Sequence, residues 1–236
     1  MRDLVRAFGR TLVIAPHPDD EVLGAGGTLA RLSAGGAEVY VAIVTTGRPP
    51  LYSAESVERV NSEAQLAHKL MGVRETFRLG LPAAELRTVS NVELNKSVDD
   101  VVSRVAPTTL LVPFPGDIHV DHQIVFGAAL VAARPTRSSY PLSILAYETL
   151  SETNWNAPYI TPNFTPNTFM PIDIELKLQI MKAYASQVRE PPHERSLEAI
   201  RALATLRGAT INRPAAEGFV LIRQVYGASA DTGAST

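Results

Sequence analysis

The stretch Thr11-Leu-Val-Ile-Ala-Pro-His-Pro-Asp-Asp-Glu21 joins an apolar run directly to a cluster of charged side chains. Its apolar, β-branched first half is typical of a strand that is buried on both faces of a parallel sheet. The run stops at Pro16, and the five residues that follow carry one imidazole and three carboxylates, too many polar groups for a buried strand to continue. His17 and Asp20 are three residues apart at the expected start of a helix, so both side chains can face one point. The stretch therefore predicts a buried strand with a functional site at its carboxyl end.

A second polar cluster follows another apolar run. Thr109-Leu-Leu-Val-Pro113 leads into Asp117-Ile-His-Val-Asp-His122, which supplies two more imidazoles and two more carboxylates. In open α/β sheets, ligands bind at the carboxyl ends of the strands. Both clusters lie at such ends, and we expect them to contribute to one site.

Apolar runs alternate with helical periodicity along most of the chain. This alternation predicts an α/β fold with a Rossmann-like, mostly parallel sheet and helices on both faces. The predicted strands cover residues 11–15, 39–45, 75–79, 110–112 and 143–147, and the helices between them cover residues 21–33, 56–71, 91–105 and 121–133.

The last third of the chain predicts a small C-terminal extension made of helices and a strand. Its predicted elements are an ordered loop at 151–167, helices at 173–185 and 196–206, and a strand at 218–224. We expect residues 1–227 to form one domain. The small polar residues 228–236 are expected to be disordered.

Composition excludes several classes of function. The net charge of −2 and the absence of a dense Lys/Arg run argue against a nucleic-acid partner. No window approaches the ~20 apolar residues of a membrane span, and Met1-Arg-Asp-Leu-Val-Arg6 lacks the apolar stretch of a signal peptide, so we expect a cytoplasmic protein. Because the chain has no cysteine, any metal must bind to imidazole and carboxylate groups.

Three of the clustered residues suit a catalytic zinc ion. His17, Asp20 and His122 supply two imidazoles and one carboxylate, a ligand set that leaves one position open for water. The same ligands could hold another divalent metal.

The remaining polar residues suit the chemistry around such an ion. Asp19 is a candidate general base, and His119 is a candidate to stabilise an oxyanion or to protonate a leaving amine. Asp121 is expected to orient His119 or to keep it protonated. Glu21 is expected to start the helix or to lie behind the metal ligands.

Other interpretations of these residues stay open. The carboxylates could cap a helix, and the metal could be structural or could be the iron(II) of an oxygenase. Gly24, Gly26 and Gly27 do not fit the G-x-G-x-x-G phosphate-binding pattern, so we interpret them as helix packing positions. His68 is expected to be a surface or packing residue, and His193 a loop or cap residue.

The two clusters resemble the motifs of a known family. Pro16-His-Pro-Asp-Asp-Glu21 is similar to the His-Pro-Asp-Asp-Glu signature of the LmbE/PIG-L zinc-dependent N-deacetylases, and residues 117–122 are similar to that family's second motif. Lys182-Ala-Tyr-Ala-Ser-Gln187 resembles its C-terminal Ser-Gln segment. Within the family the chain most resembles the bacterial branch.

The resemblance implies a metal-dependent hydrolase that removes the acetyl group from an N-acetylglucosamine-type amino sugar. It implies the same three ligands and the same three catalytic residues that the spacing indicates. It also implies a homo-oligomer, a trimer or hexamer. An amidase for a larger acyl-sugar or thiol-conjugate amide is the nearest alternative.

Four further residues have two interpretations each. The resemblance implies an arginine that reaches the site, and Arg48 and Arg59 compete for that role. Trp155 and Tyr159, in the predicted loop, either stack on a sugar ring or pin the loop to the domain.

Overall fold

The computed structural model describes residues 7–227, which contain one sheet of seven strands. In chain order the strands are β1 (Thr11–Ala15), β2 (Val39–Thr46), β3 (Glu75–Pro82), β4 (Thr109–Pro113), β5 (Ser143–Tyr147), β6 (Thr168–Pro171) and β7 (Ala216–Gln224). The helices are α1 (Asp20–Ala34), α2 (Ala54–Met71), α3 (Asn91–Val105), α4 (Val120–Ala132), α5 (Ile174–Lys182) and α6 (Leu197–Thr210).

The sheet order is β3-β2-β1-β4-β5-β7-β6. The first five strands are parallel, whereas β7 pairs antiparallel with both β5 and β6. The predicted α/β fold with a mostly parallel sheet is therefore confirmed. Strand β6 was not predicted, because a stretch of four residues that includes a proline is too short to show an alternating pattern.

Helices cover both faces of the sheet and enclose two hydrophobic cores. Helices α1, α2, α5 and α6 pack on one face, and α3 and α4 pack on the other. Every residue of β1, β4 and β5 is buried, which is why these strands are apolar along their whole length.

Strand β1 lies between β2 and β4. The chain adds β2 and β3 on one side of β1 and then crosses over to add β4 and β5 on the other side. A parallel sheet that reverses its strand order in this way has a crevice at the carboxyl ends of the two central strands. Both polar clusters follow those strands, so the topology places them at the same crevice.

A buried ion pair ties the C-terminal extension to α1. The carboxylate of Glu217 in β7 accepts the backbone N–H groups of Gly27 and Thr28 at 2.9 and 2.7 Å. Nζ of Lys177 in α5 donates to Glu217 at 2.6 Å and to the carbonyl of Leu23 at 2.7 Å. These contacts hold the helix that carries Asp20 against β7 and α5.

Close packing explains the glycines of α1. A Cβ atom at Gly24 would lie 2.2 Å from the ring of Tyr147, and one at Gly27 would lie 2.8 Å from the side chain of Ile172. Tyr147 cannot move aside easily, because it is buried and its hydroxyl donates to the carbonyl of Ile14 at 2.9 Å. These contacts support packing as the reason for glycine in this helix.

Within residues 7–227, no helix combines the length and the apolar character needed to cross a bilayer. The predicted disordered tail, residues 228–236, lies outside the described residues.

Replacement of two helical glycines should change stability in opposite directions. Gly24→Ala should lower the free energy of unfolding by about 2 kcal/mol, because overpacking a core forces its neighbours to shift. Gly127→Ala, at an exposed position of α4 where a Cβ meets nothing within 4 Å, should raise it by roughly 0.5–1 kcal/mol through helix propensity. Urea unfolding of both variants measures the difference, and equal effects would contradict the packing explanation.

Candidate metal centre and active site

Asp20, the first residue of α1, lies between two imidazoles. Its Oδ2 atom is 3.3 Å from Nδ1 of His17 and 3.2 Å from Nε2 of His122, and it accepts the backbone N–H of His17 at 2.8 Å. Asp20 and His122 are buried, whereas the side chain of His17 is 20% exposed toward solvent. One potential ligand atom from each residue lies within 4.8 Å of the others. The structure thus brings together the three residues that the sequence predicts as metal ligands.

The second ring nitrogen of each of these imidazoles contacts a further carboxylate. Nδ1 of His122 is 2.8 Å from Oδ2 of Asp117, whose Oδ1 accepts the hydroxyl of Thr153 at 2.6 Å. Nε2 of His17 is 3.1 Å from Oδ2 of Asp121. Carboxylates in this position orient metal-binding imidazoles and determine which nitrogen carries the proton. Asp117 is the first residue of the second polar cluster, but no role was predicted for it from the sequence.

The role expected for Asp121 needs correction. Its carboxylate contacts His17 and two backbone N–H groups of the β3–α3 loop, and it makes no hydrogen bond to His119. Only the backbone N–H of Asp121 reaches His119, donating to Nδ1 at 3.1 Å, because the His119 ring caps α4. Since Nδ1 accepts that bond, the proton of a neutral His119 lies on Nε2.

The residues present fit a divalent metal. Oδ1 of Asp20 and Nε2 of His122 are buried without a hydrogen-bond partner among residues 7–227, a costly state that a cation between them would relieve. A second group, His17, His119 and Asp121, also converges. There, however, both carboxylate oxygens and one imidazole nitrogen already accept backbone hydrogen bonds. The first group is therefore the better candidate.

The surrounding carboxylates stabilise positive charge at this point. Burial alone would lower the pKa of His17, but hydrogen bonds to Asp121 and Asp20 outweigh it and raise that pKa to about 9. Burial is likewise outweighed at His122, where the charge of Asp20 and the hydrogen bond to Asp117 raise the pKa to about 10. A divalent cation competes with these protons, because metal ligands must be deprotonated.

Asp19 is placed beside the candidate ligands by an unusual backbone conformation. Its φ of 104° lies in a region that residues other than glycine seldom adopt, and such strain often occurs at functional sites. Burial raises the pKa of the Asp19 carboxyl to about 8, while the charge of Arg195 acts in the opposite direction. Nη1 of Arg195 donates to Oδ2 of Asp19 at 3.0 Å. This arginine was not predicted, because it lies in no motif of the sequence.

Glu21 fixes the backbone of Asp19 through a hydrogen bond. Oε2 of Glu21 accepts the backbone N–H of Asp19 at 3.2 Å. Its Oε1 accepts the hydroxyl of Tyr184 at 2.6 Å and lies 3.1 Å from Nε2 of His68, whose Nδ1 is 2.7 Å from the hydroxyl of Thr76. Glu21 and His68 are both buried. His68 is therefore a packing residue whose ring also contacts the carboxylate of Glu21.

A cleft of about 340 Å³ opens over these side chains. Its floor is formed by His17, Asp19 and His119, and its walls come from α2 and from the C-terminal extension. Prominent wall residues are Tyr52, Ser56, Val57, Val60, Asn61, Glu152, Gln187 and Arg195. A cleft with converging polar groups and a few apolar side chains suits a small polar molecule.

The structure distinguishes between the interpretations of the two arginines and of the two aromatic residues. Arg59 lines the cleft and pairs with a glutamate one turn earlier in α2, whereas Arg48 donates to a backbone carbonyl of β3 and is not among the lining residues. The indole N–H of Trp155 donates to a glutamate in the loop before α6, and the side chain of Tyr159 is exposed. Neither aromatic residue lines the cleft, which favours the pinning role for Trp155.

Comparisons with known proteins agree with this geometry. The profile of the family described as PIG-L, GlcNAc-PI de-N-acetylase, matches residues 12–133, more than half of the chain and the part with both polar clusters. The uncharacterized deacetylase YaiS of Escherichia coli K12 is 27% identical over 183 residues, which cover 74% of this chain and 90% of the relative. The diacetylchitobiose deacetylase of Thermococcus kodakarensis is 25% identical over 232 residues, which cover 92% of this chain and 84% of the relative.

A solved structure shows the same fold. The N,N'-diacetylchitobiose deacetylase from Pyrococcus horikoshii aligns with a TM-score of 0.75 at 24% sequence identity, over 94% of this chain and 86% of that one. The family match ends before Tyr184 and Arg195, so the residues that hold Glu21 and Asp19 from the C-terminal extension lie outside it.

Asp117→Asn should weaken metal binding about 10- to 100-fold, because a neutral amide holds the N–H of His122 less firmly than a carboxylate does. A competition titration of zinc against a chelating dye measures the dissociation constant. Glu217→Gln is the matched control, since it also changes a buried carboxylate but contacts none of the candidate ligands. The control should lower the melting temperature and leave the zinc affinity of the folded protein unchanged. Wild-type affinity in Asp117→Asn would contradict the orienting role.

Proposed function

We propose that this chain, which belongs to the PIG-L family, is a zinc-dependent hydrolase that removes the N-acetyl group from an N-acetylglucosamine-type amino sugar and releases acetate. The observation that carries the proposal is the convergence of His17, Asp20 and His122 beside the buried Asp19, with His17 and Asp19 lining the floor of a cleft. The family and the named relatives are deacetylases, and the site has the residues that hydrolysis of an amide requires.

Zinc bound by the two imidazoles and Asp20 would supply a Lewis acid for the acetamide carbonyl and a water molecule with a pKa near 7. Other divalent ions accept the same ligands, so the physiological metal is a separate question for experiment. Asp117 and Asp121 hold the two imidazoles in the orientation that leaves one nitrogen of each free for the metal.

Asp19 is the proposed general base. Its carboxylate is buried at the floor of the cleft next to the candidate ligands, where it can accept a proton from the attacking water. The same carboxyl can then return that proton to the departing amine, so one residue serves both halves of the reaction.

His119 is proposed to stabilise the oxyanion. Because its Nδ1 accepts the backbone N–H of Asp121, its Nε2 carries the proton and can donate a hydrogen bond into the cleft. This arrangement supports a hydrogen-bond donor with a fixed ring orientation.

An amino-sugar substrate is supported by the relatives and by the cleft. The Thermococcus relative is named for deacetylation of diacetylchitobiose. Hydroxyl, amide, carboxylate and guanidinium groups line the cleft of this chain together with Tyr52, a mixture that suits a sugar ring with polar edges and apolar faces. The cytoplasmic location and the trimeric or hexameric state stay predictions.

Two other reactions fit part of the site. An amidase for a larger acyl group on a sugar or thiol conjugate would use the same residues and differ only in the space beyond the metal. An iron(II) oxygenase also uses two histidines and one carboxylate, but it leaves the buried Asp19 without a task. The presence of Asp19 therefore favours hydrolysis.

Asp19→Asn should lower kcat for acetate release by about 10²–10⁴-fold, the usual contribution of a positioned general base. Zinc content should stay at the wild-type level, because Asp19 is not one of the candidate ligands. Acetate is measured with a panel that includes N-acetylglucosamine and diacetylchitobiose, together with homologues that carry longer acyl chains. Zinc-loaded wild-type protein that releases no acetate from any member would contradict deacetylation, and preference for the longer acyl chains would support the larger-acyl amidase.

Removal of the metal should abolish acetate release, and one equivalent of zinc per chain should restore it. His122→Ala should lose both the zinc and the activity, because it removes a ligand from a buried site. The same samples are assayed for oxygen consumption with iron(II) and a 2-oxo acid. Oxygen uptake that depends on these additions would favour the oxygenase instead.

A further inference from the structure

Arg195 reaches the floor of the cleft from the loop between α5 and α6. It directly precedes Ser196, the residue that caps α6, and its backbone N–H donates to Nδ1 of His193 at 3.0 Å. The start of a helix thus fixes the Cα position of Arg195. The guanidinium lies beside Asp19 although 176 residues of sequence separate the two.

Each nitrogen of the guanidinium has a partner. Nη1 donates to Oδ2 of Asp19 at 3.0 Å, Nε donates to the hydroxyl of Ser151 at 2.9 Å, and Nη2 donates to Oε1 of Glu152 at 3.4 Å. Ser151 and Glu152 belong to the loop after β5, whereas Asp19 lies between β1 and α1. The residues that hold Arg195 are therefore in a different loop from Asp19. A planar guanidinium bound at three nitrogens has one orientation.

Asp19 needs such a partner to keep one orientation. Its backbone is held by Glu21, but that contact leaves the torsion angles of the Asp19 side chain free. The side chain of Asp19 is only 3% exposed, and a buried carboxylate without a charged partner is unfavourable. The hydrogen bond from Arg195 engages Oδ2, which leaves Oδ1 as the oxygen available to a water in the cleft.

We propose that Arg195 is a positioning residue that fixes the rotation of the Asp19 carboxylate, so that Oδ1 faces the nucleophilic water. This inference rests on the proposed hydrolase function. Arg195 acts through Asp19, and Ser151 and Glu152 hold its guanidinium in place. A role limited to binding an anionic group of the substrate does not explain these contacts, because three of the five N–H groups of Arg195 donate to oxygens of the protein.

The test compares Arg195→Ala and Arg195→Lys with Arg207→Ala as the matched control. Arg207 also forms a half-buried ion pair, with Glu148 at 2.8 and 2.6 Å, but it makes no contact with Asp19. Arg195→Ala should lower kcat about 100-fold, the effect of a small misplacement of a reacting group, with KM changed less than about threefold. Arg195→Lys should recover only part of the loss, because an ammonium group cannot make the three-sided contact.

Addition of guanidinium ions, at concentrations well below the unfolding transition, should raise kcat of Arg195→Ala at least about tenfold and leave Arg207→Ala unchanged. The expected loss corresponds to the misplacement of one group, so a free guanidinium that occupies the same position should reverse much of it. A purely structural role for Arg195 would not respond to this addition. Wild-type kcat in Arg195→Ala, or a loss of kcat that guanidinium does not reverse, would overturn the proposal.

A crystal structure of zinc-loaded Arg195→Ala gives a readout that does not depend on activity. The Asp19 carboxylate should be rotated or should occupy two orientations, and guanidinium soaked into the crystal should restore the single orientation. An unchanged Asp19 would overturn the positioning role even if the variant is slow.

If the wild-type protein releases no acetate, the proposed function fails, and this crystal structure still decides whether Arg195 orients Asp19. Should Arg195→Ala not fold, the double variant Ser151→Ala/Glu152→Gln removes the two anchors instead and should show a smaller loss of kcat.

Discussion

The close approach of Asp20 to the imidazoles of His17 and His122 is the constraint on which the rest of the site depends. Its Oδ2 atom lies within 3.3 Å of a nitrogen from each ring, although the two histidines follow different strands. This approach exists because β1 and β4 are neighbours at the centre of the sheet. A shift of either strand by one residue would turn its side chains to the opposite face and would separate the three groups.

Burial of so many acids is tolerated because each one has a partner. Asp117 and Asp121 pair with the two imidazoles, Asp19 pairs with Arg195, and Glu21 accepts three hydrogen bonds. Among the described acids and imidazoles of the site, the exceptions are one oxygen of Asp20 and one nitrogen of His122. These two atoms belong to residues of the candidate ligand group, so the arrangement of paired and unpaired groups agrees with the proposed metal position.

The C-terminal extension contributes more than cover for the sheet. Lys177 and Glu217 brace α1, while Tyr184 and Arg195 hold the two residues that flank Asp20 in the sequence. The extension therefore supports Asp19 in two ways, directly through Arg195 at the carboxylate and indirectly through Tyr184, which holds the Glu21 side chain that accepts the Asp19 backbone N–H. Precise orientation of a reacting carboxylate is an expected use of such support, because small displacements of reacting groups are costly in rate.

The alternation of strands and helices, the class of fold and the residue types of the candidate site follow from the order of residues alone. Hydrophobic periodicity and strand-end charge are local signals, so the bounds of β1 and α3, the last residue of α2 and the identity of the candidate ligands could be predicted without a structure. Two contacts of the site could not be predicted in this way: Asp121 contacts His17 instead of His119, and Arg195 reaches Asp19. These contacts join segments that are 104 and 176 residues apart, and their geometry depends on strand order and helix packing, which leave no local pattern in the sequence.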